Sequence, residues 1–115
     1  MKKLAILALL VSFNAHAIGY FEASVTLSTS TEAQQVYSTS TKAFSCTFTN
    51  PTANAGDINL AVSSANATVT DALAIASGSS FTESAPRDSR EKLDLSDYYW
   101  NTNTTGDRLI IHCVK

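Results

Sequence analysis

Two cysteines, one histidine and one aromatic run hold the side chains of this 115-residue chain best suited to chemistry. Cys46 and Cys113 lie 67 positions apart, each in an alternating stretch. Cys46 shares a strand face with Phe44 and Phe48, and Cys113 shares one with Leu109 and Ile111. Because successive strand side chains point to opposite faces, both thiols are expected to enter one apolar core and form a disulfide there. A metal pair or a catalytic thiol fits less well, because no Cys-x-x-Cys spacing occurs and His112 is the only histidine beyond residue 16. By restricting the unfolded chain, the bridge would stabilise the fold by about 4 kcal/mol. That is a large share of the ~5 to 10 kcal/mol expected for a domain of this size.

His112 precedes Cys113 directly and so projects from the other face of the same strand, outward, where the two cannot exchange a proton. A Ser/His/Asp site would have to use His112, and no serine sits in a Gly-x-Ser-x-Gly turn. The acid pairs Asp94 with Asp97 and Glu83 with Glu91 read as solvated surface groups, with no sign of a sugar-binding cleft beside them. No calcium loop or Gly-rich phosphate cradle is present. The chain is therefore expected to be non-enzymatic, with no metal and no cofactor. Tyr98-Tyr99-Trp100-Asn101 is the segment best suited to contact a ligand. As a strand it puts Tyr98 and Trp100 on one face and Tyr99 on the other. Tyr99, Trp100, Asn101 and Asn103 then form a candidate contact surface for a glycan or a protein. The competing reading, and the commoner outcome, is that these rings fill the core beside the disulfide.

The elements that must position these residues read as short strands. Tyr20 to Thr29 alternates, with Phe21, Ala23, Val25 and Leu27 on one side. A short strand is expected near Val36 and Tyr37, and another over Ala43 to Thr49, ended by Asn50-Pro51. Beyond the turn at Asn54-Ala55-Gly56-Asp57, Ile58, Leu60 and Val62 share a face. Val69 to Ala76 reads as a strand, because the seven or so residues available are marginal for a helix. After the turn at Ser77-Gly78-Ser79-Ser80 a strand begins at Phe81, and Leu93 and Leu95 alternate with polar residues. Asp97 to Trp100 and Arg108 to Val114 flank a polar loop and read as a hairpin. Seven or eight such strands, about ten residues apart, predict an all-β domain, a small antiparallel β-sandwich of immunoglobulin-like or jelly-roll-like type.

Ahead of this domain, Met1-Lys2-Lys3, the apolar run Leu4 to Phe13 and Ala15-His16-Ala17 have the three parts of a secretory signal. Cleavage is expected after Ala17, leaving one domain over residues 18–115. The ten-residue apolar run would span roughly 15 Å as a helix, about half a bilayer core, so stable membrane insertion after cleavage is not expected. The remaining chain keeps six basic and ten acidic residues, a formal charge of −4, which disfavours nucleic acid as a partner. It also holds 14 Ser, 14 Thr and 12 Ala, a composition suited to strands with polar outer faces.

Two roles follow for a secreted or periplasmic chain of this kind. The first is a structural or assembly subunit of an extracellular, cell-surface or virion structure, with the alternating first strand available for β-augmentation. In its small size, Ser/Thr/Ala-rich composition and single bridge the chain resembles bacterial pilin-type subunits. The resemblance is compositional, and the shortness of the chain and the placing of Cys113 almost at the C-terminus depart from that pattern. The alternative is a binding module that recognises a glycan or an envelope protein through the aromatic and Asn/Thr-rich surface.

Overall fold

A computed structural model describes residues 19–27, 32–68, 72–86, 91–102 and 104–115. The leader read over residues 1–17, Val69, Asp71 and Asn103 lie outside them. Among the described residues ten strands run in chain order: β1 (Tyr20–Thr26), β2 (Gln34–Gln35), β3 (Lys42–Ala43), β4 (Ser45–Thr49), β5 (Ile58–Ala61), β6 (Leu73–Ile75), β7 (Ser80–Ser84), β8 (Leu93–Asp94), β9 (Tyr99–Asn101) and β10 (Arg108–Val114). A three-residue 3-10 helix, Leu95–Asp97, separates β8 from β9. The first sheet has the order β1-β10-β4-β7, the second β2-β9-β5-β6, and β3 pairs with β8. Every pairing is antiparallel, so the described domain is all-β, and one disulfide joins Cys46 to Cys113.

Period-two sequence places the core. Along β10, Leu109, Ile111 and Cys113 are buried, while Arg108, His112 and Val114 face solvent. Along β4 it is Cys46 and Phe48 that turn inward. Both sheets feed one cluster in which Leu27, Phe48, Ile58, Trp100, Leu109 and Ile111 are fully or almost fully buried. At roughly 1.5 to 3 kcal/mol per buried large apolar side chain, this cluster dominates the stabilisation. Cys46 and Cys113 sit directly opposite each other on neighbouring strands with Cα atoms 4.1 Å apart, so the bridge fastens β4 to β10 within the first sheet.

Three local expectations are corrected. Phe44 does not share a face with Cys46 and Phe48, because it lies between β3 and β4 and is 50% exposed. Ala43 takes the buried place instead. The Phe44 N–H donates to the Val114 carbonyl (2.8 Å), and its own carbonyl accepts from Ala85 N–H (2.7 Å). Alternation thus restarts where the chain leaves β3, the partner of β8, for the first sheet. The Lys92 ammonium covers the exposed ring at 4.3 Å from its centroid. Val62 is 71% exposed because β5 stops at Ala61 and a turn closed by Asn66 N–H on the Ser63 carbonyl follows.

The third correction concerns topology. Asp97 to Trp100 and Arg108 to Val114 do not form a hairpin: β9 lies between β2 and β5 in the second sheet, and β10 between β1 and β4 in the first. The connection is a corner held by buried polar groups. The Asp107 carboxylate accepts from Thr102 Oγ1 (3.0 Å), Ala55 N–H (3.2 Å) and Gly56 N–H (3.3 Å). Asn54 Nδ2 donates to the Asn50 side chain and to the Arg108 carbonyl, while Asn54 Oδ1 accepts from Arg108 N–H. Asn50 Nδ2 reaches the carbonyls of Gly56 and Ile75. Gly106, at φ +95°, supplies the left-handed residue this corner needs. Burying these groups without partners would cost about 1 to 3 kcal/mol each, which explains why they bond to one another.

Candidate functional site

The aromatic segment turns mainly inward. Trp100 is 0% exposed and stands between Gln34 and Leu60, and its indole Nε1 has no hydrogen-bond partner among the described residues. This corrects the expectation that its ring offers contact surface: the ring is core, at the centre of the second sheet. Tyr98 is also buried, and its hydroxyl donates to Glu83 Oε2 at 2.7 Å, tying the edge strand β7 to the start of β9. Burial, then the hydrogen bond and charge of Glu83, push the Tyr98 phenol above its ordinary pKa. Tyr99 and Asn101 are half-buried, and Asn101 Oδ1 accepts from Thr102 N–H. Of the four candidate contacts, these two keep some surface, and Asn103 lies outside the described residues.

A larger organised surface is the outer face of the first sheet. Its register sets Tyr20, Val114, Ser45 and Ser84 in one row, Glu22, His112, Thr47 and Thr82 in the next, and Ser24, Ile110, Thr49 and Ser80 in a third. Across β4 and β7 every row ends in a hydroxyl pair: Ser45 with Ser84 (3.0 Å), Thr47 with Thr82 (2.8 Å) and Thr49 with Ser80 (2.8 Å). On the β1 and β10 half, His112 Nε2 lies 3.4 Å from Glu22 Oε1, and the Tyr20 ring leans on the imidazole at 6.3 Å between centroids. A shallow concavity runs between Glu22, Ser24, Arg108, Ile110 and His112. His112 therefore points outward as its strand position requires, toward a carboxylate. The hydroxyls pair among themselves. Hydroxyls at alternate positions 45, 47 and 49 and again at 80, 82 and 84 are the sequence signal for this ladder. Their pairing across β4 and β7 is not written in either segment alone.

A second polar cluster is architectural. Asp94 caps the 3-10 helix by accepting from Ser96 N–H and Oγ, and also accepts from Ser40 Oγ and Thr41 N–H, with Lys42 Nζ at 3.9 Å. The Ser40 hydrogen bond foremost, with the other donors outweighing desolvation, holds its carboxyl well below the usual carboxylate range. Among the described residues no group of three or more His, Cys, Asp or Glu side chains could hold a metal ion.

Along one edge, β1 pairs with β10 for all seven residues, Tyr20 with Val114 through Thr26 with Arg108, and among the described residues with no other strand. Its inner side chains Phe21, Ala23 and Val25 are half-buried, and Phe21 meets Tyr37 edge-on at 4.9 Å. Beside them a groove opens between Val25 and the segment from Gln34 to Ser38. The buried disulfide fits an oxidising, extracellular location, and no helix among the described residues is long and apolar enough to cross a membrane. Comparison with known protein families, with curated proteins and with solved structures gives no match to this chain.

Proposed function

We propose that this chain is a structural subunit of an exported assembly, built by joining sheet edges. The observation that carries this reading is β1: a seven-residue edge strand without lysine, proline or an inward charge, the features by which sheets usually keep their edges from pairing. The disulfide supports it by fastening β10, on which β1 lies, to β4. The leader read over residues 1–17, with cleavage after Ala17, delivers the domain to the periplasm or the exterior. The finer architecture proposed is a sandwich of immunoglobulin-like or jelly-roll-like type, for which two four-stranded sheets sharing one core are the support. The activity proposed is non-enzymatic. A role as a binding module for a glycan or envelope protein has less to stand on once the Trp100 ring is in the core, with Tyr99 and Asn101 left at the surface.

The test is the mass of the purified, cleaved protein by light scattering over a range of concentrations, with electron microscopy of the same samples. Defined oligomers or filaments are expected. A strictly monomeric species at the highest attainable concentration overturns the assembly reading.

A further inference from the structure

We infer that β1 joins β1 of a second copy of this chain, antiparallel, about a two-fold axis at Ala23, so that two first sheets become one of eight strands. The inference rests on the assembly reading and names its partner and register.

Backbone geometry identifies the groups of β1 that β10 leaves unused. The Gly19 carbonyl accepts from Lys115 N–H (2.6 Å), and Leu27 N–H donates to the Asp107 carbonyl (2.9 Å), so the odd-numbered residues of β1 turn their backbone groups toward β10. In an antiparallel ladder the alternate residues then turn theirs the other way. Tyr20, Glu22 and Ser24 therefore present N–H and C=O groups along the open edge, and Thr26 its N–H, while the Thr26 carbonyl accepts from Gln34 Nε2 (3.4 Å). The other edges offer less. β2 and β6 have two and three residues, and β7 carries Glu83 on its inward face, where an added strand would have to accommodate it.

Register follows from the faces. Inner side chains must stay opposite inner ones, so the two-fold axis has to pass through a residue and not between two. Placed at Ala23 it uses all seven residues. Tyr20 then faces Thr26 of the second copy, Phe21 faces Val25, Glu22 faces Ser24, and Ala23 faces itself. Phe21 with Val25 is an aromatic and β-branched pair of the stabilising kind, and no like charges meet. Moving the axis to Glu22 sets two carboxylates against each other, and moving it to Ser24 shortens the ladder to five residues on each strand. The Ala23 register makes about eight backbone hydrogen bonds, all through the even-numbered residues, two of which take the Thr26 carbonyls from Gln34 Nε2.

Three variants test this, each compared with the native protein by light scattering and thermal melting. Ser24→Pro removes an outward N–H that β10 does not use, so the domain should fold with an unchanged midpoint and become monomeric. Ser24→Asp keeps the backbone intact and sets a carboxylate opposite Glu22 of the second copy, and it too should be monomeric. Ala23→Cys should give a covalent dimer on mild oxidation, because residue 23 would meet its mate in a close, non-hydrogen-bonded pair. Oligomers that persist in both Ser24 variants, together with no Ala23→Cys crosslink, overturn this interface while leaving assembly through another surface. A native protein that is monomeric throughout overturns both.

Discussion

The two four-stranded sheets are held by different means. The first has strands of seven, seven, five and five residues, a disulfide between its two central strands β10 and β4, and hydroxyl pairs between β4 and β7. The second has strands of two, three, four and three residues, no covalent link among its described parts, and Trp100 at its centre. A long ladder with a crosslink can hold its register by itself, whereas a sheet of very short strands depends on the apolar body packed against it. The first sheet is thus the scaffold, and the second is the lid on its core.

That contrast can be broken from either side. The largest effect is expected for Trp100→Ala, about 3 to 5 kcal/mol for a fully buried indole. Urea unfolding gives its size, and hydrogen exchange should show β5 and β9 losing protection before β4 and β10. Trp100→Phe should cost clearly less, because it also removes the buried N–H that has no partner among the described residues. Equal early loss in both sheets would end the distinction between scaffold and lid. Next comes the bridge: Cys46→Ala, or reduction of the native protein, should lower stability by about 4 kcal/mol, with the loss read first in β10. A melting temperature indifferent to reductant would show that the ladder alone suffices.

The joint between the sheets comes third. Asp107→Ala leaves the N–H groups of Ala55 and Gly56 and the Thr102 hydroxyl without their acceptor, and should cost about 2 to 3 kcal/mol. Because this corner serves both sheets, protection should fall in both together. The smallest effect is electrostatic. The folded pKa of Asp94 is depressed, so its stabilisation is fully present above the unfolded-state value of about 3.9 and is lost as pH falls from there toward the folded value. Native protein should therefore lose more stability than Asp94→Asn on acidification below about pH 4, and parallel acid titrations of the two would dismiss the effect.

The sequence was legible wherever one strand sufficed. Alternation at Phe21, Ala23 and Val25 and at Leu109, Ile111 and Cys113 placed both faces of β1 and β10, and two cysteines on inward strand positions placed the bridge. It failed where the answer depended on a remote partner. Inward alternation at Tyr98 and Trp100 and at Leu109 and Ile111 is the same for a hairpin as for strands in opposite sheets, and only the corner built on Asp107 decides between them. Phe44 misled because a residue between two strands restarts the alternation without any glycine or proline to announce it. Trp100 was ambiguous because an indole is equally at home in a core or on a contact surface, and the cluster that buries it, with Leu27, Phe48, Ile58 and Leu60, is distant in sequence.

The position of the bridge also fixes how the domain would answer a mechanical load. Gly19 and Lys115 are neighbours, so tension drawn through both would peel β1 from β10 one residue pair at a time. The peeling force on β10 meets Cys113 almost at once, and from there the covalent path runs to Cys46 and bypasses the chain between them, a sequence separation of 67. Most of the domain, including β5, β6 and β9 of the second sheet, would be shielded from the pull, and only the segment up to Cys46, which carries β2 and β3, could pay out as slack.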